Sequence, residues 1–207
     1  MLTLHDFHDS GNGFKIRLLL HFLQRPYRYV EVDILSGASR TPEFYRLNPN
    51  GRIPVLQMDD KRALAESNAI LFYLAQDTAF FPADPFAQAQ IMSWLFFEQY
   101  SHEPNIATSR FIRKHRELDE TQTALLDMKK APGVAALDIL EMQLAHTDFL
   151  VGTTPSIADI ALYAYTHVAE EGGFDLQPYP GLNRWLQRIA NLPHYVPITH
   201  VSGLALG

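Results

Sequence analysis

The 207-residue sequence contains no cysteine. This absence excludes a disulfide scaffold, a cysteine-bound zinc ion and every mechanism in which a protein thiol is the nucleophile. The nine histidines include no pair at the i, i+4 spacing by which one helix face holds a metal, so we expect no metal site. A nucleophile-elbow serine and a Walker-type phosphate loop are also missing.

Charged residues are scarce, at 19% of the sequence, and the formal net charge of −6 comes without a basic stripe. A nucleic-acid partner is therefore not expected. The N-terminus lacks the basic and apolar regions of a signal peptide, and no apolar run approaches the ~20 residues of a membrane span. We expect a cytoplasmic globular protein without a membrane partner.

The first 77 residues predict an α/β domain. Alternation and helical spacing indicate strand, helix, strand, short helix, two strands and helix, at 2–7, 14–24, 27–34, 41–47, 55–58, 63–65 and from 67 onward. The first strand, helix and strand form a parallel unit with a right-handed crossover. The complete order β-α-β-α-β-β-α is the thioredoxin-like topology.

The rest of the chain predicts an all-α domain. Residues 78–86 contain two prolines and no helical period, so we expect a linker there and a helical domain over 87–207. Apolar spacing indicates helices at 86–115, 118–130, 134–145, 160–170 and 182–192. Pro132 is expected to separate the second helix from the third, and the tail from residue 193 has no readable period.

The segment from Asn50 to Ile70 carries the most unusual local pattern. Pro54 stands where a strand begins, a position that a sheet tolerates for proline. An X-Pro bond adopts the cis form at low cost, although only about 5–6% of X-Pro bonds in folded proteins are cis. Ser67 opens an apolar helix, whose free N–H groups and hydroxyl suit a carboxylate ligand. The alternative for Ser67 is an ordinary helix cap.

These residues resemble the glutathione transferase superfamily. The matching signature consists of Asn48-Pro49, Gly51-Arg52-Ile53-Pro54, Glu66-Ser67 before an apolar helix, Phe149-Leu150-Val151-Gly152, and the capping-box residues Ser156 and Asp159. Because the signature spans both halves, the resemblance covers roughly residues 2–192. It implies that the Ile53–Pro54 peptide bond is cis.

The resemblance also implies how glutathione is held. The backbone of Ile53 is expected to pair with the cysteinyl part of glutathione, and Glu66 and Ser67 with its γ-glutamyl end. Arg52 is expected to meet the glycyl carboxylate, with a solvated surface arginine as the alternative. Arg40 is a second candidate for that carboxylate.

The turn before the first helix contains Ser10 and Asn12, within the sequence Asp9-Ser10-Gly11-Asn12-Gly13-Phe14-Lys15. It resembles the bacterial Nu class, in which a threonine and an asparagine two residues later both reach the glutathione sulfur. Neutral donors beside a helix N-terminus can lower a thiol pKa of about 8.5 toward neutrality. Ordinary helix caps are the alternative. Without a cysteine, or a tyrosine in this turn, the cysteine- and tyrosine-dependent classes match less well.

The implied activity is that of a detoxifying glutathione S-transferase, with glutathione as co-substrate and a small hydrophobic electrophile as the second substrate. A glutathione-dependent peroxidase or disulfide reductase is one alternative. A non-catalytic glutathione- or ligand-binding homologue is another, because one fold serves many functions. The intact glutathione signature disfavours a third alternative, a protein–protein interaction module.

Two further expectations concern the partners. Electrophile binding is assigned to the long helix after the linker, with four polar candidates that are otherwise surface residues: Tyr100, His102, Glu103 and Arg110. The resemblance implies a homodimer through the 67–77 helix and the start of the helix at Phe86, and two-fold dimers are the commonest oligomers.

Overall fold

The computed structural model describes residues 1–201, and the chain divides into two compact units. The first unit comprises Met1–Gln76 together with the described residues from Leu192 on, and the second is Asp77–Asn191. A four-stranded sheet with helices forms the first unit, and helices form the second. The predicted fold class, an α/β thioredoxin-like domain plus an all-α domain, is confirmed.

The first unit is organised around strand β1 (Leu2–Asp6). The elements that come after it are α1 (Gly11–Phe22), β2 (Tyr27–Glu31), α2 (Pro42–Tyr45), β3 (Val55–Gln57), β4 (Ala63–Ala65) and α3 (Ser67–Leu74). The sheet order is β2-β1-β3-β4, with β1 parallel to β2 and antiparallel to β3. The central strand therefore ends at Asp6, directly before the turn into α1.

Helix α1 is a core helix. Phe14, Ile16 and the leucines at 18–20 are 0% exposed, which is typical of a helix that is apolar on all sides. Lys15 and Arg17 are carried into the interior with them and are also 0% exposed. Because a buried charge is costly without partners, each cation needs hydrogen-bond acceptors inside the protein.

The second unit contains five α-helices among its residues: α4 (Pro85–Phe97), α5 (Glu103–His115), α6 (Glu120–Leu144), α7 (Ile157–Thr166) and α8 (Pro180–Ala190). A π-helical turn, Glu98–His102, joins α4 to α5, so the predicted long helix is present with a bulge near its middle. Helix α4 begins inside the predicted linker, where Asp84 caps it. Across residues 1–201, no helix combines the length and the apolarity needed to cross a membrane.

The predicted break at Pro132 is wrong, because α6 is one helix of 25 residues with the proline inside it. Proline removes one backbone hydrogen bond from a helix interior. The next residue is closely packed, since a Cβ on Gly133 would lie 2.3 Å from the ring of Phe174. Leu137 and Leu140, one and two turns further on, are 0% exposed. Tertiary packing therefore outweighs the local penalty of the proline.

The C-terminal segment also differs from the prediction, which assigned it to the helical domain. The described residues from Leu192 group with the first unit instead. The physical reason is Arg17, whose Nη1 donates to the carbonyl oxygens of Ile198 and His200 at 2.7 and 2.6 Å. The last part of the predicted tail, 202–207, lies outside the described residues.

Candidate functional site

The turn between β1 and α1 presents Ser10 at the N-cap of the helix. Its backbone is extended, and its Oγ accepts a hydrogen bond from the backbone N–H of Gly13 at 3.3 Å. The first turn of α1 contains no acidic residue. An uncompensated helix N-terminus attracts an anion, so a thiolate beside Ser10 would lie in a favourable field.

Asn12 is joined to Ser67 at the start of α3, although 55 residues separate them in the chain. The Ser67 hydroxyl donates to Oδ1 of Asn12 at 3.3 Å, and the Nζ of Lys15 donates to Ser67 Oγ at 3.2 Å. Lys15 also donates to Oδ1 of Asn68 at 3.4 Å. These four side chains link the beginnings of α1 and α3, so the two predicted groups of glutathione-binding residues lie in one place.

This hydrogen-bond chain fixes the direction of each donor in it. Lysine has donors only, so Ser67 must accept from Lys15 and can then donate to Asn12. An asparagine whose Oδ1 accepts from serine directs its NH2 group, a donor, to its other side. The amide orientation is set by the hydrogen-bond network. Lys15 thereby orients the Asn12 side chain through Ser67.

The strand and helix starts around Pro54 and Ser67 have unusual backbone geometry. The Ile53–Pro54 peptide bond is cis, which confirms that prediction. Glu66, exposed at the N-cap of α3, has φ 69° and ψ 112°, a left-handed φ that non-glycine residues rarely adopt. A non-glycine residue keeps a φ like that of Glu66 only where the surrounding structure imposes it, and such residues cluster at functional sites.

Arg40 and Arg52 are both exposed and lie on either side of α2, Arg40 at the end of a 3-10 turn before it and Arg52 in the loop after it. The Nη1 of Arg40 donates to the carbonyl oxygen of Asn50 at 3.0 Å, and Asn48 Nδ2 donates to the carbonyl of Arg52 at 2.7 Å. Gly51 between them has φ +63°, and a Cβ there would meet Arg40 Nη1 at 2.7 Å. Glycine is therefore required at this turn, which leads directly into Arg52 and Ile53.

Asp6 lies beneath the first turn of α1. A Cβ on Gly13 would lie 1.7 Å from Oδ1 of Asp6, so only glycine fits over the carboxylate. Oδ2 accepts from Nε of Arg17 at 3.2 Å, while Oδ1 has no hydrogen-bond partner within residues 1–201. Burial raises the pKa of Asp6 despite the Arg17 guanidinium. The carboxyl therefore lies directly against the first turn of α1 and does not reach solvent.

The four electrophile candidates lie in the second unit in different environments. Tyr100 is 87% exposed, whereas His102 is 0% exposed and its Nε2 lies 2.9 Å from Oγ1 of Thr166. Arg110 is 3% exposed and pairs with Glu171 at 2.8 Å. The contacts of His102 and Arg110 are structural ones, so Tyr100 and the half-buried Glu103 remain the candidates with accessible side chains.

The sequence analysis assigned no role to Lys15 or Arg17. A signal was present, because each cation is flanked on both sides by large apolar residues in Phe14-Lys15-Ile16-Arg17-Leu18. On a helix that is apolar on all sides, a cation has no solvent-exposed face through which to reach water. Its burial with dedicated acceptors is the physical expectation.

Across residues 1–201, no group of three histidine, cysteine, aspartate or glutamate residues is arranged to hold a metal ion. The polar groups gathered at the two helix starts are hydroxyl, amide and ammonium groups, which bind anions. These groups are therefore suited to an anionic ligand such as a carboxylate.

The class of this protein is defined by a thioredoxin-like sheet domain, in which hydrogen bonds join the polar side chains at two helix starts, followed by a helical domain. Two family models match the chain: the glutathione S-transferase N-terminal domain over residues 1–76 and the glutathione S-transferase C-terminal domain over residues 96–193. The chain belongs to the glutathione S-transferase family.

Individual relatives agree with this assignment. A glutathione S-transferase structure from Pseudomonas fluorescens [Pf-5] is 49% identical with a TM-score of 0.93, covering 95% of this chain and 98% of that one. The disulfide-bond oxidoreductase YfcG of Escherichia coli (strain K12) is 28% identical, over 93% of this chain and 92% of YfcG. The structure of Ure2p in complex with glutathione is 26% identical with a TM-score of 0.83, covering 93% of this chain and 91% of that one.

Proposed function

We propose that this protein binds glutathione and ionises its thiol for attack on a small hydrophobic electrophile. The observation that carries the proposal is the hydrogen bond between Ser67 and Asn12. It joins the helix start expected to hold the γ-glutamyl group to the turn expected to hold the sulfur. One extended tripeptide can then engage both.

Ser10 and Asn12 are the proposed thiolate donors. The Ser10 hydroxyl accepts from Gly13 N–H, which leaves its own proton available for the sulfur, and Asn12 presents an amide NH2. Each unit by which the thiol pKa falls requires about 1.4 kcal/mol of preferential binding to the thiolate. Two hydrogen bonds to a charged acceptor, at about 1.5–3 kcal/mol each, are sufficient.

The other glutathione groups are assigned to the surrounding residues. Ser67 and Glu66 hold the γ-glutamyl end, at the N-terminus of α3. The backbone of Ile53, beside the cis Pro54, pairs with the cysteinyl part. Arg52, with Arg40 as the second candidate, meets the glycyl carboxylate, for which an arginine fork is well suited.

The second substrate and the quaternary structure are proposals of the same kind. Tyr100 and Glu103 are the proposed electrophile contacts, and the location is proposed to be cytoplasmic. A homodimer is supported by large apolar side chains left at the surface by the predicted interface helices: Phe72 is 41%, Tyr73 47% and Phe86 72% exposed. Exposed apolar groups of this size mark interaction surfaces.

The test is a thiolate-absorbance titration of bound glutathione in wild type, Ser10→Ala, Asn12→Ala and the double variant. If both residues donate hydrogen bonds to the sulfur, each single variant should raise the thiol pKa and lower the rate of the transferase reaction, with Ser10→Ala giving the larger effect. The double variant should then raise the thiol pKa by more than either single variant but by less than the sum of the two, because the effects of neighbouring residues on one target are not additive. Thr41→Ala is the matched control, since Thr41 caps α2 in the same way.

An unchanged thiol pKa in all variants would leave Ser10 and Asn12 as helix caps only. A wild-type protein that binds glutathione without lowering its thiol pKa would instead be a binding homologue; Ure2p, a similar chain solved in complex with glutathione, supports the binding alone. The titration therefore separates catalysis from binding.

Disulfide reduction is the second candidate, supported by the similarity to YfcG, a disulfide-bond oxidoreductase. Because the chain has no cysteine, two glutathione molecules would supply both electrons. The first thiolate attacks a disulfide sulfur, forming a mixed disulfide and releasing one thiol. The second attacks the mixed disulfide, giving oxidised glutathione and the other thiol. Assays of wild type with a disulfide and with an aryl halide distinguish the two activities.

A further inference from the structure

Arg17 is a buried cation whose acceptors are mostly backbone carbonyls. It is 0% exposed, and its guanidinium reaches five acceptors. These are Asp6 Oδ2 at 3.2 Å, the carbonyls of Ile198 and His200 at 2.7 and 2.6 Å, and the carbonyls of His8 and Ser10 at 2.9 and 3.4 Å. An arginine has five N–H donors, so each donor has one acceptor.

The five acceptors belong to three separate pieces of chain. Asp6 ends the central strand, His8 and Ser10 form the turn that leads into α1, and Ile198 and His200 come from the C-terminal segment. A planar guanidinium holds its donors in a rigid fork, so the positions of the three pieces depend on one another. Removal of one piece leaves a buried cation with donors that lack acceptors.

The C-terminal segment, residues 192–201, has further structure of its own at this place. Tyr195 N–H donates to the Leu192 carbonyl at 3.2 Å, and His200 N–H donates to the Pro197 carbonyl at 2.9 Å. The ring of His200 packs edge-on against His21 of α1, with 4.9 Å between centroids. The carbonyls that face Arg17 are therefore presented by an ordered turn.

We infer that the C-terminal segment is a positioning element for the thiol-activating turn, and that Arg17 is the positioning residue through which it acts. The inference rests on the proposed function of Ser10. Arg17 holds the Ser10 carbonyl on one side and the C-terminal carbonyls on the other, so the segment determines where the Ser10 hydroxyl points. The C-terminal segment is in this way part of the glutathione domain.

The test compares two shortened chains. One ends at Val201 and keeps the carbonyls of Ile198 and His200, and the other ends at Pro193 and lacks both. Bound glutathione is titrated by thiolate absorbance, and hydrogen exchange is measured over residues 9–14. We expect the Val201 chain to match the full chain. The Pro193 chain should raise the thiol pKa by about one unit, seen as a shift of the absorbance titration by about one pH unit, with faster exchange.

Arg17→Lys in the full chain is the second variant and decides the question even if the Pro193 chain does not fold. Lysine keeps the charge but has three donors against five, so it cannot hold both sets of carbonyls. We expect a similar rise in thiol pKa. Arg28→Lys, at an exposed arginine of β2, is the matched control and should have no effect. A peptide of residues 192–201 should restore the thiol pKa of a folded Pro193 chain.

The outcomes separate this inference from the proposed function. A thiol pKa that stays at the wild-type value in Arg17→Lys overturns the positioning role and leaves the proposed function intact. A wild-type chain that does not lower the thiol pKa overturns the proposed function. In that case, unchanged exchange over residues 9–14 in Arg17→Lys overturns the positioning role as well, and faster exchange supports it.

Discussion

Helices α1 and α7 are both capped by a serine, and they differ at the third helical residue. Ser156 caps α7 in a complete capping box, because the third helical residue is Asp159 and its carboxylate returns to the Ser156 N–H. Ser10 caps α1, where the third helical residue is Gly13. The carboxylate closes the start of α7, and the glycine leaves the start of α1 open to an anion.

The buried charges at the two helix starts differ in the same way. Both oxygens of Asp159 are fully used: Oδ1 accepts from Leu150 N–H and Trp185 Nε1, and Oδ2 accepts from the N–H and hydroxyl of Ser156, all at 2.8–2.9 Å. Lys15, in the second turn of α1, donates to a hydroxyl and an amide, groups that can exchange partners when a ligand arrives. A closed network of this kind stabilises a fold, and an open one is suited to binding.

The largest expected effect tests the closed network. Asp159→Ala should lower the free energy of unfolding by about 3–5 kcal/mol, because four donors lose their acceptor in a buried place. Urea denaturation measures the loss. Asp148→Ala is the control, since its ion pair with Arg188 is largely exposed and should contribute about 0–1 kcal/mol. Similar losses of unfolding free energy in the two variants would show that Asp159 contributes no more to stability than an exposed ion pair does.

The sequence predicted the capping box of the closed network and left the contacts of the open one undetermined, for a physical reason. Ser156 and Asp159 are neighbours on one helical turn, so their pairing can be read from spacing. The contact of Asn12 with Ser67 spans 55 residues, and that of Arg17 with His200 spans 183. Such contacts depend on how the elements pack, which local patterns do not encode.

The same distinction applies to the fold. Strand alternation, the capping box and the cis Pro54 were predictable, the first two from local spacing and the last from the family signature. The continuous helix across Pro132 was not, because packing of Gly133 against Phe174 outweighs the proline. The contact of the C-terminal segment with α1 was also not predictable, because it depends on one buried guanidinium and not on a periodic pattern of apolar residues.

The second prediction concerns pH and the end of α7. Burial lowers the pKa of His167 to about 4, and its ring stacks on Tyr163. The unfolded chain, with a pKa of about 6.5, takes up the proton first as pH falls, so stability should be lost between about pH 6.5 and 4. The loss from this group should reach about 3 kcal/mol, as 2.5 units at 1.36 kcal/mol each.

His167→Gln keeps a neutral donor and removes the titration, so it is the matched variant. Urea unfolding of the second unit at pH 7, 5.5 and 4.5 measures both proteins. The difference between their unfolding free energies should change by about 2.5 kcal/mol between pH 7 and pH 4.5, most of the total of about 3 kcal/mol. A constant difference would show that His167 titrates normally.

The third prediction tests the open network. Ser67→Ala should weaken glutathione binding by about 1.5–3 kcal/mol, because a hydroxyl and a charged hydrogen bond are lost at the helix start. The effect on folding should be smaller, since the buried Lys15 keeps Oδ1 of Asn68 as an acceptor when the Ser67 hydroxyl is removed. Calorimetry measures affinity and thermal unfolding measures stability. Unchanged affinity with a large drop in melting temperature would make Ser67 a structural residue only.

The smallest effect compares the two capping serines directly. Ser10→Ala should cost less than about 1 kcal/mol of stability, because its only observed cap bond, to Gly13 N–H, is long at 3.3 Å. Ser156→Ala should cost about 2 kcal/mol, at the upper end for caps, since it also removes a 2.9 Å bond to Asp159 in a buried place. Urea denaturation of both variants gives the two values. The order should reverse for glutathione, where Ser10→Ala raises the thiol pKa and Ser156→Ala leaves it unchanged. Equal stability losses, with no effect of either variant on the thiol, would mean that the start of α1 is as closed as that of α7.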